Sequence, residues 1–186
     1  LGAEGGIMLG AFVSSLIAVY VPMGAGIHMV VAVIIGAAAV SLTMFIPGIL
    51  KAKLDVSEMV CSLMLNYVIM YVIKYFMNTK FADKSKGQVQ SLPFKDTAIV
   101  PELVKNGSKL TWGFVLALIF VALTAVFMYR TRWGYAIRMI GINKDFAKYS
   151  GMKVGAIIIA SQAIGGLLAG IGGGVEMLGR YNAFSW

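Results

Sequence analysis

Thr111–Tyr129, TWGFVLALIFVALTAVFMY, contains no Asp, Glu, Lys, Arg or His. Coiled as a helix, the run reaches about 30 Å, the thickness of the hydrocarbon core of a bilayer. A helix of this length in water would need a polar stripe along one side; this one has none and reads as a membrane span. The rest of the chain agrees: hydrophobic residues make up 59%, charged residues 13%, and the mean hydropathy is +0.84. Runs free of Asp, Glu, Lys and Arg recur at Ala25–Phe45, Gly155–Val175 and Ile7–Val21, and Met59–Met77 carries Lys74 alone. The expected fold is all-α: one polytopic transmembrane bundle, residues 1–186, with about five spans and a short cytoplasmic helix.

Charge orders the connections. Residues 130–154 hold six basic side chains (Arg130, Arg132, Arg138, Lys144, Lys148, Lys153) against Asp145 alone. Pro47–Ser57 adds Lys51 and Lys53 on the same side, since two spans separate the two segments. Positive loops stay on the cytoplasmic side. Residues 78–110 then form an external loop, and its length predicts a small folded unit rather than a tight turn. The net charge of +8 is explained by these loops, so membrane lipid and not nucleic acid is the expected partner of the basic residues.

Several chemistries find no motif. GxxxxGK[ST], HExxH and GxSxG are absent, His28 is the single histidine, and Cys61, inside a span, is the single cysteine. Neither a catalytic residue nor a metal site is expected, and without a phosphate loop the chain is not expected to hydrolyse ATP or to carry a cofactor of its own. His28 reads as a satisfied interfacial histidine and Lys74 as a side chain snorkelling to the outer surface. Small residues recur at four-residue spacing, Gly2, Gly6, Gly10 and Ser14 in one run and Gly166, Gly170 and Gly174 in another, the pattern that lets helix backbones approach closely in lipid.

Four polar residues lie in or beside the spans: Glu4, Asn66, Gln162 and Glu176. Polar groups at that depth face a bundle interior or a wet cavity, so these four are the candidate solute pathway; a helix-capping role for Glu4 and an interhelical hydrogen bond for Asn66 are the structural alternatives. In GYAIRMIGINKDFAKYSGMKVG, Gly134–Gly155, Asn143 is suited to cap a helix over Lys144–Ser150, with Gly151 as its left-handed terminator. That helix would place Phe146 with Tyr149 on one face and Lys144 with Lys148 on another. Aromatics ringed by charge suit docking to a protein or seating in lipid headgroups.

The same stretch resembles the cytoplasmic loop of permease subunits in the bacterial ABC importer family that includes ribose, simple-sugar, nucleoside and branched-chain amino acid systems. LGAEGGIMLGAF at Leu1, GILKAKLDVSEMVCSLMLNYV at Gly48 and GGLLAGIGGGVEMLG at Gly165 resemble further stretches of that family in order, most like its nucleoside and simple-sugar branch. The resemblance implies that residues 130–154 form a coupling loop that plugs into an ABC ATPase subunit through Gly134, Arg138, Gly141, Asn143, Phe146, Ala147, Lys148, Tyr149 and Gly151. It further implies a second permease subunit, identical or related, an external substrate-binding protein, residence in the bacterial cytoplasmic membrane, and a chain that is one piece of a longer permease. Departures stand at Ser57, where Asn is common, at Phe146 and Ser150, where alanines are frequent, at Gly165, where Ser is common, and at Gly5–Gly6–Ile7. Asp55 with Glu58 is expected to form a capping box opening the third span.

Overall fold

The computed structural model describes residues 3–21, 24, 27–81, 91–95, 98, 100 and 111–184. Among them the chain forms seven α-helices: α1 Ala3–Tyr20, α2 Ile27–Leu54, α3 Glu58–Phe76, α4 Trp112–Arg130, α5 Arg132–Ile142, α6 Lys144–Tyr149 and α7 Val154–Arg180; one π-helical turn, Met77–Phe81, prolongs α3. Four of these helices (α2, α3 with its π turn, α4 and α7) are long and apolar enough to cross a membrane, and α1 is a shorter apolar helix. The all-α polytopic bundle is therefore present.

Three helices, α1, α2 and α7, form the packed centre. They meet through the small residues expected to bring them together. A Cβ placed on Gly10 of α1 would lie 2.7 Å from the Cα of Gly170 on α7, and one on Gly170 would lie 2.5 Å from the Cα of Ala37 on α2. Gly166 sits in the same way over Ser41, and Gly173 lies so close to the Ile7 carbonyl oxygen that no side chain fits. Ser14 Oγ, buried between the helices, donates to the Ala32 carbonyl at 3.1 Å, and Ser41 Oγ donates to the Ala163 carbonyl at 3.1 Å. Backbones pressed together gain dispersion energy and interhelical hydrogen bonds, the forces that hold helices when both surroundings and helix surfaces are equally apolar. Gly2 lies outside the described residues.

Two expectations about the connections are corrected. First, α2 does not end near Phe45: it runs 28 residues to Leu54 with Pro47 inside it. Proline cannot donate to the carbonyl one turn back, but Pro47 is buried between helices, where packing outweighs one missing bond. The helix is then about 42 Å long, and Lys51 and Lys53 ride on its last turn rather than in a loop. Second, Asp55 forms no capping box. Ser57 is the residue preceding α3, with no side-chain cap bond, and Asp55 has φ +51. A left-handed backbone, tolerated by Asp, turns its carboxylate away from the α3 amides and back toward Lys51 and Lys144.

At the opposite end, the described parts of the long connection fold onto the helix ends. Ser91 N donates to the Phe184 carbonyl, Phe94 N to that of Asn182 and Val100 N to that of Leu178, at 2.8, 2.8 and 3.0 Å. Phe12 sits edge-on to Phe81 and Phe184, with ring centroids 6.1 and 5.5 Å apart. His28, fully buried, has Nε2 3.1 Å from the Ile17 carbonyl oxygen and so ties α2 to α1. Much of the expected external loop, including 82–90 and 101–110, lies outside the described residues.

The packing leads to a paired test. Gly173→Ala is expected to lower stability by about 1–3 kcal/mol because a backbone oxygen occupies the only space for the methyl group. Gly165→Ala, which meets nothing within 4 Å, should be neutral or stabilising by up to about 1 kcal/mol from the higher helix propensity of alanine. Thermal unfolding of the purified protein in detergent reads both.

Candidate functional site

Residues 130–154 are almost entirely helical, more so than the single short helix expected. Thr131 makes the corner: its Oγ1 donates to the Phe127 carbonyl at 2.7 Å and accepts from Gly134 N at 3.1 Å. The turn brings Gly134 against the backbone of Phe127 and Met128, where a Cβ would lie 2.6 Å from Met128 Cα. Glycine is required there by contact, whereas Gly141 faces open space.

At Asn143 the chain bends again. The Asn143 side-chain oxygen accepts from Phe146 N at 3.0 Å and caps α6. After Tyr149, Ser150 N bonds the Phe146 carbonyl and Met152 N the Ala147 carbonyl, and Gly151 has φ +80, so the cap and the terminator stand where the sequence predicts. Ala147 is fully buried against the bundle, while Phe146 is 54% and Tyr149 91% exposed. A larger residue than alanine would lift α6 off its seat.

The expected basic face is divided. Lys148 is exposed, but Lys144 Nζ donates to Asp55 Oδ1 at 2.8 Å, and Lys51 Nζ reaches the same oxygen at 3.1 Å. The corner between α2 and α3 thus holds the start of α6. Sequence reading missed this role of Asp55; the available signal was an acidic residue four positions after Lys51 in an otherwise basic segment. Arg138, on α5, stacks its guanidinium over the Tyr129 ring, 4.8 Å from the centroid, and its buried Nε has no hydrogen-bond partner among the described residues.

The four polar candidates are not gathered in one place. Asn66 is buried and its Oδ1 accepts from Gly5 N at 3.1 Å, which sets the start of α1 level with the middle of α3. Glu4, one residue before, is exposed in the first turn of α1. Gln162 packs beside Gly48. Glu176, near the far end of α7, pairs with Arg180 at 3.3 Å. An open groove of about 980 Å³ runs between α4 and α7, from Glu176 and Arg180 at one end to Arg138 at the other. Its walls, including Phe114, Phe120, Leu168 and Val175, offer apolar surface rather than hydrogen bonds to a polar solute. No cluster able to hold a metal ion occurs among the described residues.

Residues 1–185 match the family described as the branched-chain amino acid transport system permease component. The chain belongs to that permease family. It is similar to the guanosine ABC transporter permease protein of Bacillus subtilis (30% identical, covering 97% of this chain and 52% of the relative). It is also similar to the nucleoside ABC transporter permease protein of Lactococcus lactis (31%, covering 82% and 44%) and to the glucose ABC transporter permease protein of Haloferax volcanii (29%, covering 99% and 51%). The chain spans about half the length of these relatives. No solved structure matches it. With four helices fit to cross a bilayer and this membership, it is a multi-pass protein of the cytoplasmic membrane.

In this permease the tie at Asp55 is electrostatic and lies outside the spans. Hydrogen bonds from Lys144 and then Lys51 hold the Asp55 carboxyl below the usual carboxylate range, and the hydrogen bond to Asp55 raises the Lys144 ammonium above the ordinary lysine range. The depressed acid contributes above its unfolded pKa and loses that contribution as pH falls through its folded value; the raised base contributes below its unfolded pKa and loses it as pH rises through its folded value. The tie therefore holds across neutral pH. A double-mutant cycle of Asp55→Asn and Lys144→Gln on thermal stability should show coupling near neutral pH. The coupling should vanish when acid protonates Asp55, and should shrink in molar salt, which screens exposed charges.

Proposed function

We propose that this chain is the membrane-spanning permease subunit of an ATP-driven ABC importer that moves nucleosides or simple sugars. The observation that carries the reading is α6, a capped helix at the basic end of the bundle, seated through Ala147 and held by Asp55, with Phe146 and Tyr149 standing clear of the protein. Exposed aromatics on a rigid, charged rim are what a protein cleft would grip. Positive residues at that end (Lys51, Lys53, Arg130, Arg132, Lys148 and Lys153) favour the cytoplasmic side, where ATP would be bound and hydrolysed on partner ATPase subunits.

The mechanism follows from the connections. Closure of an ATPase pair on ATP would push α6. Through Gly134 and Thr131 the push would reach α4, through Asp55 it would reach α2 and α3, and through Met152 it would reach α7, so the close-packed centre would move as one body. Movement against a second permease subunit would switch access between the two sides, and an external binding protein would deliver the solute. The nucleoside and sugar reading draws on the names of the similar proteins; the family description, which names branched-chain amino acids, supports the other cargo class.

The test uses the full permease with its ATPase. Replacing both Phe146 and Tyr149 by Ala should weaken retention of the ATPase by about tenfold or more, the effect of losing a central aromatic anchor. Thermal stability of the permease should stay unchanged, because both side chains are exposed. Retained ATPase and undiminished ATP-dependent uptake in the double variant would defeat the reading.

A further inference from the structure

Resting on the permease reading, we propose that the face of α3 turned away from the bundle lines the hydrated solute path, with Tyr67, Tyr71 and Lys74 as its polar seam for an uncharged, ring-bearing solute. At about 100° per residue, positions i, i+4 and i+7 share one side of a helix. Ser62, Asn66, Ile69 and Ile73, the buried residues of α3, occupy the other. Tyr67 is 62% and Tyr71 70% exposed, and Lys74 is exposed beside them.

Depth makes this face unusual. Glu58–Phe81 is a span of 24 residues, so Tyr67 and Tyr71 lie within about 4 Å of its middle and Lys74 about 7 Å from it. Two phenol hydroxyls at that level have no water in acyl chains, and tyrosine in lipid-facing positions belongs at the interfaces, while the Lys74 ammonium reaches outward along the same face. A dry contact with another helix fits no better. The closest contacts of this chain, among α1, α2 and α7, are built on Gly, Ala and Ser, and the dry contact of α3 with α1 uses Asn66, Ile69 and Ile73; no tyrosine or lysine is among the buried residues of the described helices. Water reaching the seam satisfies both the hydroxyls and the charge.

The side chains indicate what would move along it. Phenol rings one helical turn apart offer flat faces to a sugar ring or a planar base, and their hydroxyls can exchange hydrogen bonds with a hydroxylated solute. The Lys74 charge disfavours cations. Asn66 holds α1 on the opposite side of the same helix.

The experiment labels cysteines in the full permease in membranes, with Cys61 replaced by Ser. Tyr67→Cys and Tyr71→Cys are expected to react with a charged, membrane-impermeant thiol reagent at least tenfold faster than Leu123→Cys, which is exposed on the apolar helix α4 away from the groove beside α7. Equal, slow labelling at all three positions would overturn the proposal in favour of lipid. Spontaneous disulfides between two copies without reagent labelling would overturn it in favour of a dry subunit contact. In the assembled transporter, Tyr67→Leu should lower uptake of the ring-bearing solute about tenfold while ATPase retention is unchanged, and Tyr67→Phe should keep most of it. Failure here with the Phe146 and Tyr149 effect intact leaves the importer standing and removes only this path. Fast labelling with no effect at Phe146 and Tyr149 would remove the importer and leave a water-lined channel.

Discussion

Direct contact between the backbones of α1, α2 and α7 is the constraint on which the remaining structure hangs. In lipid the hydrophobic effect does not drive helices together, because acyl chains solvate leucine as well as a neighbouring helix does. What remains is close approach, and only positions without side chains allow it. Gly10 over Gly170, Gly170 over Ala37 and Gly173 over Ile7 bring three helices near enough for Ser14 and Ser41 to reach carbonyls on their neighbours. The other helices attach to this centre by fewer contacts: α3 mainly along α1, with buried Asn66 hydrogen-bonded to the start of that helix, and α4 through the corner at Thr131 and its side against α7.

The two ends of the centre are finished differently. At one end the described residues of the long connection satisfy carbonyls at the finish of α7 and close an aromatic cluster around Phe12. At the other, α2 overshoots the hydrocarbon thickness and delivers Asp55 to α6. A small helix with little area of its own is thereby connected to α2, α5 and α7 at once. Its outward side is left to two aromatic rings, an economy suited to a part that meets a partner and transmits its movement.

Much of this could be read along the chain. Long uncharged runs marked the spans, four-residue glycine spacing marked the close contacts, and Asn143 with Gly151 marked both ends of α6, because each signal is local and acts through a few bonds. The misreadings came where a local rule lost to tertiary context. Pro47 resembled a helix end, yet burial between helices kept α2 intact. Asp55 and Glu58 resembled a capping box, yet a positive φ and two lysines, one of them distant in sequence, took the carboxylate elsewhere. Residues 132–142 resembled a loop because glycine and arginine interrupt them, yet Gly134 serves the corner and Arg138 rests on Tyr129.

Composition, period and charge were therefore enough for an all-α membrane bundle with a helical knob at its basic end, since hydropathy and capping depend on neighbours within a turn or two. Which polar residues share a surface was decided only by packing. Asn66 and Tyr67 are adjacent in the chain, but a helix sends adjacent side chains in different directions; one closes a helix contact and the other faces outward. The rotation of α3 about its axis, set by where α1 approaches it, settled which of the two the bundle keeps.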